Sequence, residues 1–104
     1  MGLIARVTTS QRSDADEAKL FIEDYAIPSL QKVPGFLGAY FLADPKNQTG
    51  ISITLWEDEA AARDSTIASA ERRHQAAAMT GAVFEAVNTY EVIAQTLPVV
   101  DRKE

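Results

Sequence analysis

Cysteine is absent from this chain of 104 residues. A disulfide framework, a thiolate metal site and a cysteine nucleophile are therefore excluded, and a reducing, cytoplasmic location fits this composition. Long apolar runs are also absent, since none approaches the roughly 20 residues that cross a bilayer. The first residues, Met1 to Arg6, lack the basic leader and the cleavage site of a signal peptide. We expect a soluble protein that does not bind membranes.

Basic side chains are scarce, because 10 lysines and arginines stand against 15 acidic residues, which gives a formal net charge of −5. Apart from Arg72-Arg73 and Arg102-Lys103 they are scattered, so the sequence offers no basic surface for nucleic acid. A chain of this length buries one core but not two. We therefore expect a single domain over residues 1–98 and a charged, solvated tail over residues 99–104.

Large apolar side chains are also few, because alanine contributes 17 of the hydrophobic residues. Alternation of side-chain types predicts four strands, and apolar residues at three- and four-residue spacing predict a first helix with a kink at Pro28. An acidic first turn and a closing Gly81 bound a second helix. The predicted elements are strand 3–9, helix 14–31, strands 36–43 and 51–56, helix 57–78 and strand 83–95.

The order of these elements, βαββαβ, is that of the ferredoxin-like α+β fold, in which two helices cover one face of an antiparallel sheet. Ser52, Thr54 and Trp56 share one face of the third strand, and the intervening aliphatic residues share the other. Arg6 and Glu91 are expected to pair across the sheet. The second face would expose an apolar surface to water, so we expect a homodimer through this open sheet face.

Several segments of the chain resemble one known family. The Pro34-Gly35-Phe36 turn opens segment 34–40, Leu55-Trp56-Glu57 lies in segment 54–61, and segment 80–82 leads into residues 90–92. Together they resemble the antibiotic biosynthesis monooxygenase (ABM) superfamily of dimeric α+β barrels. The resemblance implies a cavity between sheet and helices and an oxygenation without a cofactor. A phenolate in an apolar cavity can itself supply electrons to dioxygen.

Trp56 is the first candidate site residue. The resemblance implies that a tryptophan at this strand end lines the substrate cavity and serves both binding and catalysis. In the polyketide oxygenases of the superfamily an asparagine precedes this tryptophan by four residues. Ser52 stands there in this chain and binds hydrogen-bond partners with a different geometry. The alternative role of Trp56 is packing in the core or at an interface.

His74 is the second candidate catalytic residue. It is the only histidine, and histidine is the side chain that titrates near neutral pH, so His74 could act as the general base for a phenol. The haem-degrading members of the superfamily carry a histidine late in this helix, which makes His74 a candidate haem ligand. Their second tryptophan and first-strand asparagine have no counterpart here. The alternative role of His74 is interaction with the helix dipole.

Aromatic and basic side chains complete the candidate substrate-binding site. Tyr25, Tyr40 and Phe21 could wall an aromatic cavity, and Arg72 and Arg73 could bind a carboxylate or a phenolate. Core packing is the alternative role of the aromatic residues. For the arginines the alternative is an exposed position at a helix end with no specific partner.

Three hypotheses follow from the sequence. The leading one is a cofactor-independent monooxygenase that acts on a small aromatic, quinol or polyketide-like substrate in a cavity between sheet and helices. The second is a non-catalytic dimeric protein that binds a small ligand or serves in a stress response. The third is a haem-binding or haem-degrading protein, for which haem would be the cofactor.

Overall fold

This computed structural model describes residues 2–11 and 15–96. These residues contain four strands and two helical regions. The strands are β1 (Ile4–Gln11), β2 (Phe36–Asp44), β3 (Thr49–Trp56) and β4 (Val83–Glu91). The helices are α1 (Ala15–Phe21), a π-helical turn (Ile22–Ala26), α2 (Ile27–Leu30), α3 (Glu59–Asp64) and α4 (Thr66–Thr80). The predicted tail 99–104 and the start of the predicted first helix lie outside the described residues.

The sheet has the strand order β2-β3-β1-β4, and every pair of neighbouring strands is antiparallel. Arg6 of β1 therefore lies opposite Thr54 on one side and Thr89 on the other. Together with the helical regions that follow β1 and β3, this order confirms the predicted ferredoxin-like fold.

The helix-facing side of the sheet carries the core. Ser52, Thr54 and Trp56 share this side, as predicted, and Trp56 is completely buried. Trp56 packs with Leu30 and Ala62, and the ring of Phe36 meets its ring edge-on at 5.5 Å between centroids. This buried cluster is small and lies at the end of the sheet that carries Trp56.

The first helical region changes its hydrogen-bond spacing just before Pro28. The N–H of Ile27 donates to the carbonyl of Ile22, five residues earlier, which is the spacing of a π-helix. Proline has no N–H, and its ring clashes with the carbonyl four residues before it. The predicted irregularity at Pro28 is therefore present as a π-helical turn that precedes it.

The second helical region is divided into two helices at Ser65, which the sequence did not predict. Asp58 caps α3, because its side chain accepts from the N–H of Ala61 at 2.8 Å. The carbonyl of Ala62 accepts from Arg6 Nη2 and from Ser65 Oγ. The end of α4 is as predicted, since Gly81 adopts φ 75° and donates to the carbonyl of Ala77.

The predicted pairing of Arg6 with Glu91 was wrong. Glu91 lies opposite Ile4 and is exposed, whereas the Arg6 guanidinium turns beneath the junction of α3 and α4. β4 also ends at Glu91 and not at the predicted residue 95. Within the described part of the chain, no helix has the length and apolar character needed to cross a membrane.

Candidate functional site

A cavity of about 110 Å³ lies between the helix-facing side of the sheet and the helical layer. Alternate residues of β1 and β3 face the helices, so these strands supply a floor of hydroxyl side chains. The floor consists of Thr8, Ser10, Ser52 and Thr54. Alanines line the opposite wall, and their short side chains leave the space that larger residues would fill. They include Ala18, Ala26 and Ala76.

Arg6 stands at one end of this cavity and is 6% exposed. Its Nη1 donates to Ser65 Oγ at 3.0 Å and to Ser69 Oγ at 2.7 Å, and its Nη2 donates to the carbonyl of Ala62 at 2.6 Å. Its Cζ lies 5.4 Å from the centroid of the Trp56 ring. Every one of these partners is neutral. The positive charge of Arg6 is therefore stabilised by the dipoles of two hydroxyl groups and a carbonyl, and by the face of the Trp56 ring.

Arg72 and Arg73 reach the cavity from α4. Arg72 is 9% exposed, and its Nη1 donates to Ser29 Oγ at 3.1 Å. Its Nη2 is buried and has no hydrogen-bond partner among the described residues. A buried donor without a partner is uncommon in folded proteins and costs stability, which makes it a candidate contact for a ligand.

The cavity concentrates positive charge in a protein whose net charge is negative. Burial lowers the pKa of Arg6, Arg72 and Arg73 below the usual arginine value, and repulsion from Arg73 lowers the pKa of Arg6 and Arg72 further. Tyr25 acts in the opposite direction on the pKa of Arg72. No aspartate or glutamate is found among the described residues that line the cavity. All three guanidinium groups remain protonated at neutral pH, so the cavity favours an anion.

Four of the residues predicted for the site line this cavity. Ser52 contributes to the floor from β3, Phe21 to the wall from α1, and Arg72 and Arg73 to the charged part from α4. The fold thus brings together side chains that are up to 52 positions apart in sequence, from 21 to 73. Their roles in binding remain predictions.

Trp56 lies next to the cavity but does not line it. Its ring is fully buried in the core beneath the Arg6 guanidinium, and its Nε1 donates to Thr54 Oγ1 at 3.0 Å. This position corresponds to the packing alternative for Trp56. Arg6 and Thr54, which contact the tryptophan and also line the cavity, stand between its ring and a ligand.

His74, Tyr25 and Tyr40 lie outside the cavity lining. His74 is exposed because it projects away from the face of α4 that carries the lining residues. Tyr25 is exposed on the π-helical turn, with its ring 5.2 Å from that of Phe21. Tyr40 lies opposite Ile53 on the open face of the sheet. The α4 residues that line the cavity are Ser69, Arg72, Arg73, Ala76 and Thr80.

Arg6 is the site residue that the sequence reasoning missed. Its position in the strand alternation places it on the same face as Thr8 and Ser10, which is the helix-facing side. A charged residue at an inward-facing position of a central strand is rare unless its charge is paired with another group. This pattern, with serines and threonines at the other inward positions of β1, is the signal that could have found it.

Haem does not fit this arrangement. A haem macrocycle is several times larger than a 110 Å³ cavity, and the exposed His74 is not directed into it. Over residues 2–11 and 15–96, no three histidine, aspartate or glutamate side chains are grouped as metal ligands.

Comparison with known proteins relates the chain to solved structures only, because no family model and no curated protein sequence matches it. SnoaB, a cofactor-independent oxygenase from Streptomyces nogalater, is 18% identical, with a TM-score of 0.71 over 95% of this chain and 100% of its own. The monooxygenase from the gene ActVA-Orf6 of Streptomyces coelicolor, solved with nanaomycin D, is 21% identical, with a TM-score of 0.65 over 94% and 93%. A candidate antibiotic biosynthesis monooxygenase from Bordetella bronchiseptica is 16% identical, with a TM-score of 0.65 over 90% and 100%.

The chain shares the ferredoxin-like α+β fold of these solved monooxygenases. The similarity extends over nearly all of this chain and of each solved structure, so the fold is shared as a whole. At 16–21% identity the likeness concerns the backbone, and one fold supports many activities. The function therefore has to be argued from the side chains of the cavity.

Proposed function

We propose that the protein is a cofactor-independent monooxygenase that oxidises a small phenol or quinol-like aromatic, bound as an anion in the cavity. The observation that carries this proposal is the buried Nη2 of Arg72, which lacks a partner in the described part of the chain and stands in a cavity with two further arginines. An anionic oxygen of the substrate supplies that partner. The fold that this chain shares with the cofactor-independent oxygenase SnoaB is compatible with this reaction class.

The volume of the cavity limits the size of the substrate. Each water-sized group needs about 10–15 Å³ of such space, so 110 Å³ accommodates roughly 7 to 11 of them. That range suits one or two aromatic rings. Phe21, Phe41 and Phe84 line the cavity and provide apolar contact for the rings.

The chemistry needs no external reductant. A phenol with a free para C–H reacts with dioxygen to give a para-quinone and water. One oxygen atom becomes the new carbonyl, and the other leaves as water with two hydrogens of the substrate. The phenolate is the electron donor, and positive charge in a cavity partly closed to water favours this anion.

The arginines therefore have the main catalytic task in this proposal. Arg72 and Arg73 stabilise the phenolate oxygen, and the hydroxyl floor orients the ring. No aspartate, glutamate, histidine, lysine or tyrosine stands among the described lining residues, so the phenol proton passes to solvent. In this proposal His74 is not the general base. The cationic site instead favours ionisation of the substrate's phenol.

A homodimer is part of the proposal. Tyr40, Leu42 and Ile51 lie on the sheet face opposite the helices, and each is at least 40% exposed. Two copies related by a twofold axis would cover this face on both sheets at once. Covering it would also stiffen the sheet that forms the cavity floor.

Oxygen consumption tests the proposed activity. The purified protein is mixed with a panel of naphthols and anthrones, and the uptake of dioxygen is compared with that in buffer. We expect at least one compound to be consumed faster, and we expect Arg72→Gln to lower kcat/KM by about 10-fold or more, since a bond to a charged group is lost. Arg63→Gln, an exposed arginine of α3, is the matched control and should leave the rate unchanged. A panel with no consumption above buffer would contradict the proposal.

A second candidate function is binding without catalysis. The observation that favours it is the lack of a proton acceptor among the described lining residues. Calorimetry separates the two functions, because a non-catalytic protein binds the same aromatic anions while dioxygen uptake stays at the buffer rate.

A further inference from the structure

The cavity has a charged end and an apolar end. Arg6, Thr8 and Ser10 follow one another on the helix-facing side of β1, which spans roughly 13 Å at about 3.3 Å per residue. Arg6 marks the end near Trp56, and Ser10 lies opposite Phe84 at the other end. A bound molecule that fills the cavity therefore has one end near charge and the other near an aromatic wall.

The apolar end of the cavity is formed by the end of α4, the start of β4 and part of α1. Phe84 belongs to the start of β4, Thr80 is the last residue of α4, and Ala82 lies in the connection between them. Phe21 of α1 lines the same cavity. Aromatic rings of a ligand gain apolar contact with these side chains.

Within residues 2–11 and 15–96, no acidic side chain lines the charged end. The hydrogen-bond partners of Arg6 are two serine hydroxyls and a carbonyl, and the described partner of Arg72 is the hydroxyl of Ser29. Burial and mutual repulsion both disfavour the protonated arginines, as their lowered pKa values indicate. A ligand that brings a full negative charge relieves both effects.

A carboxylate matches this end better than a phenolate does. Its two oxygens can accept from two guanidinium groups or from both nitrogens of one fork, whereas a phenolate offers a single oxygen. A carboxylate is also ionised in neutral solution before it enters the cavity. It therefore needs no base, and none is found among the described lining residues.

We infer that the ligand of this cavity is an aromatic carboxylic acid, whose carboxylate binds Arg72 and Arg73 and whose ring lies towards Phe21 and Phe84. Where it concerns the substrate, this inference rests on the proposed function, because it states that the phenol that is oxidised also carries a carboxylic acid. The ring hydroxyl of this substrate lies next to the carboxylate, so Arg72 and Arg73 also stabilise the phenolate oxygen as proposed above, and the carboxylate fixes the orientation of the ring over the hydroxyl floor.

Matched acids and amides test the inference by calorimetry under nitrogen. Benzoate and 2-naphthoate are compared with benzamide and 2-naphthamide, which have nearly the same shape and no charge. We expect at least one acid to bind about 10- to 100-fold more tightly than its amide, which is the range for hydrogen bonds to a charged group. Equal binding of acid and amide, or no binding of either acid, would overturn the inference.

Variants locate the carboxylate. Arg72→Gln and Arg73→Gln should each remove most of the preference for acid over amide, whereas Arg63→Gln should retain it. Arg72→Lys keeps the charge and should retain part of the preference, which a purely structural role would not produce. Among the described residues Ser29 accepts a hydrogen bond from Arg72 and not from Arg73, so the Arg73 variant separates carboxylate binding from loss of the Arg72–Ser29 contact. An acid preference unchanged in both glutamine variants would overturn the inference.

The failure of this inference and that of the proposed function have different signatures. If the acids bind as expected but no phenol or hydroxyaryl acid is oxidised, the cavity is a carboxylate site and the oxygenase proposal falls. If simple naphthols are oxidised while acids bind no better than amides, the oxygenase stands and the carboxylate inference falls.

Discussion

Replacement of Arg6 by methionine tests whether a buried cation holds the helical layer on the sheet. The change removes three buried hydrogen bonds, two to serine hydroxyls and one to the carbonyl of Ala62. Each bond from this charged group contributes about 1.5 kcal/mol net, and the contact with the Trp56 ring adds about 0.5–1 kcal/mol. Removal of a desolvated charge and the packing of methionine offset part of this loss. We expect the free energy of unfolding to fall by about 2–3 kcal/mol.

Urea unfolding at pH 7 and fixed protein concentration measures this change. The slope of the transition should stay constant while its midpoint falls, since the surface exposed on unfolding is nearly the same. Arg6→Lys keeps the charge but loses the forked geometry of the guanidinium. Its free energy of unfolding should lie between those of the wild type and Arg6→Met. Arg63→Met, at an exposed position, should change stability by less than about 0.5 kcal/mol. An Arg6→Met protein as stable as the wild type would show that Arg6 does not hold the helical layer on the sheet.

Three further predictions follow from the fold. Gly35→Ala should cost about 1–3 kcal/mol in urea unfolding, because Gly35 has φ 82° and an added Cβ would clash with that of Ala61; Gly38→Ala, with no atom within 4 Å of its added Cβ, is the control. Asp58→Ala should lower the same free energy by about 1 kcal/mol through loss of the α3 cap, and an unchanged midpoint would argue against that cap. Leu42→Lys should shift sedimentation at micromolar concentration from dimer to monomer, whereas a monomeric wild type would refute the dimer.

The fold could be predicted because its signals are local. The alternation in residues 51–56, the turn residues before them and Gly81 after α4 each constrain their own segment, and all agree with the observed elements. The division at Ser65 could not be predicted in this way. It coincides with bonds from the side chain of Arg6, which is 59 positions away in sequence.

The site was predictable only in part. The residue types of Phe21, Arg72 and Arg73 predicted an aromatic wall and an anion site, and these residues do line the cavity. A resemblance to a family transfers positions along the chain, and it pointed to Ser52, which also lines the cavity. It does not transfer side-chain directions. Trp56 points into the core because Arg6 occupies the space above its ring, and only the register of β1 against β3 reveals that contact.

Turnover under ¹⁸O₂ shows whether the protein transfers one atom of dioxygen to a phenol. The protein is given a naphthol or a hydroxynaphthoic acid that supports oxygen uptake, and the product is examined promptly by mass spectrometry. A cofactor-independent monooxygenase gives a quinone with one ¹⁸O atom per turnover, and Arg72→Gln slows its formation while Arg63→Gln does not. A quinone whose new oxygen comes from water, or no product above that formed in buffer, would contradict the account.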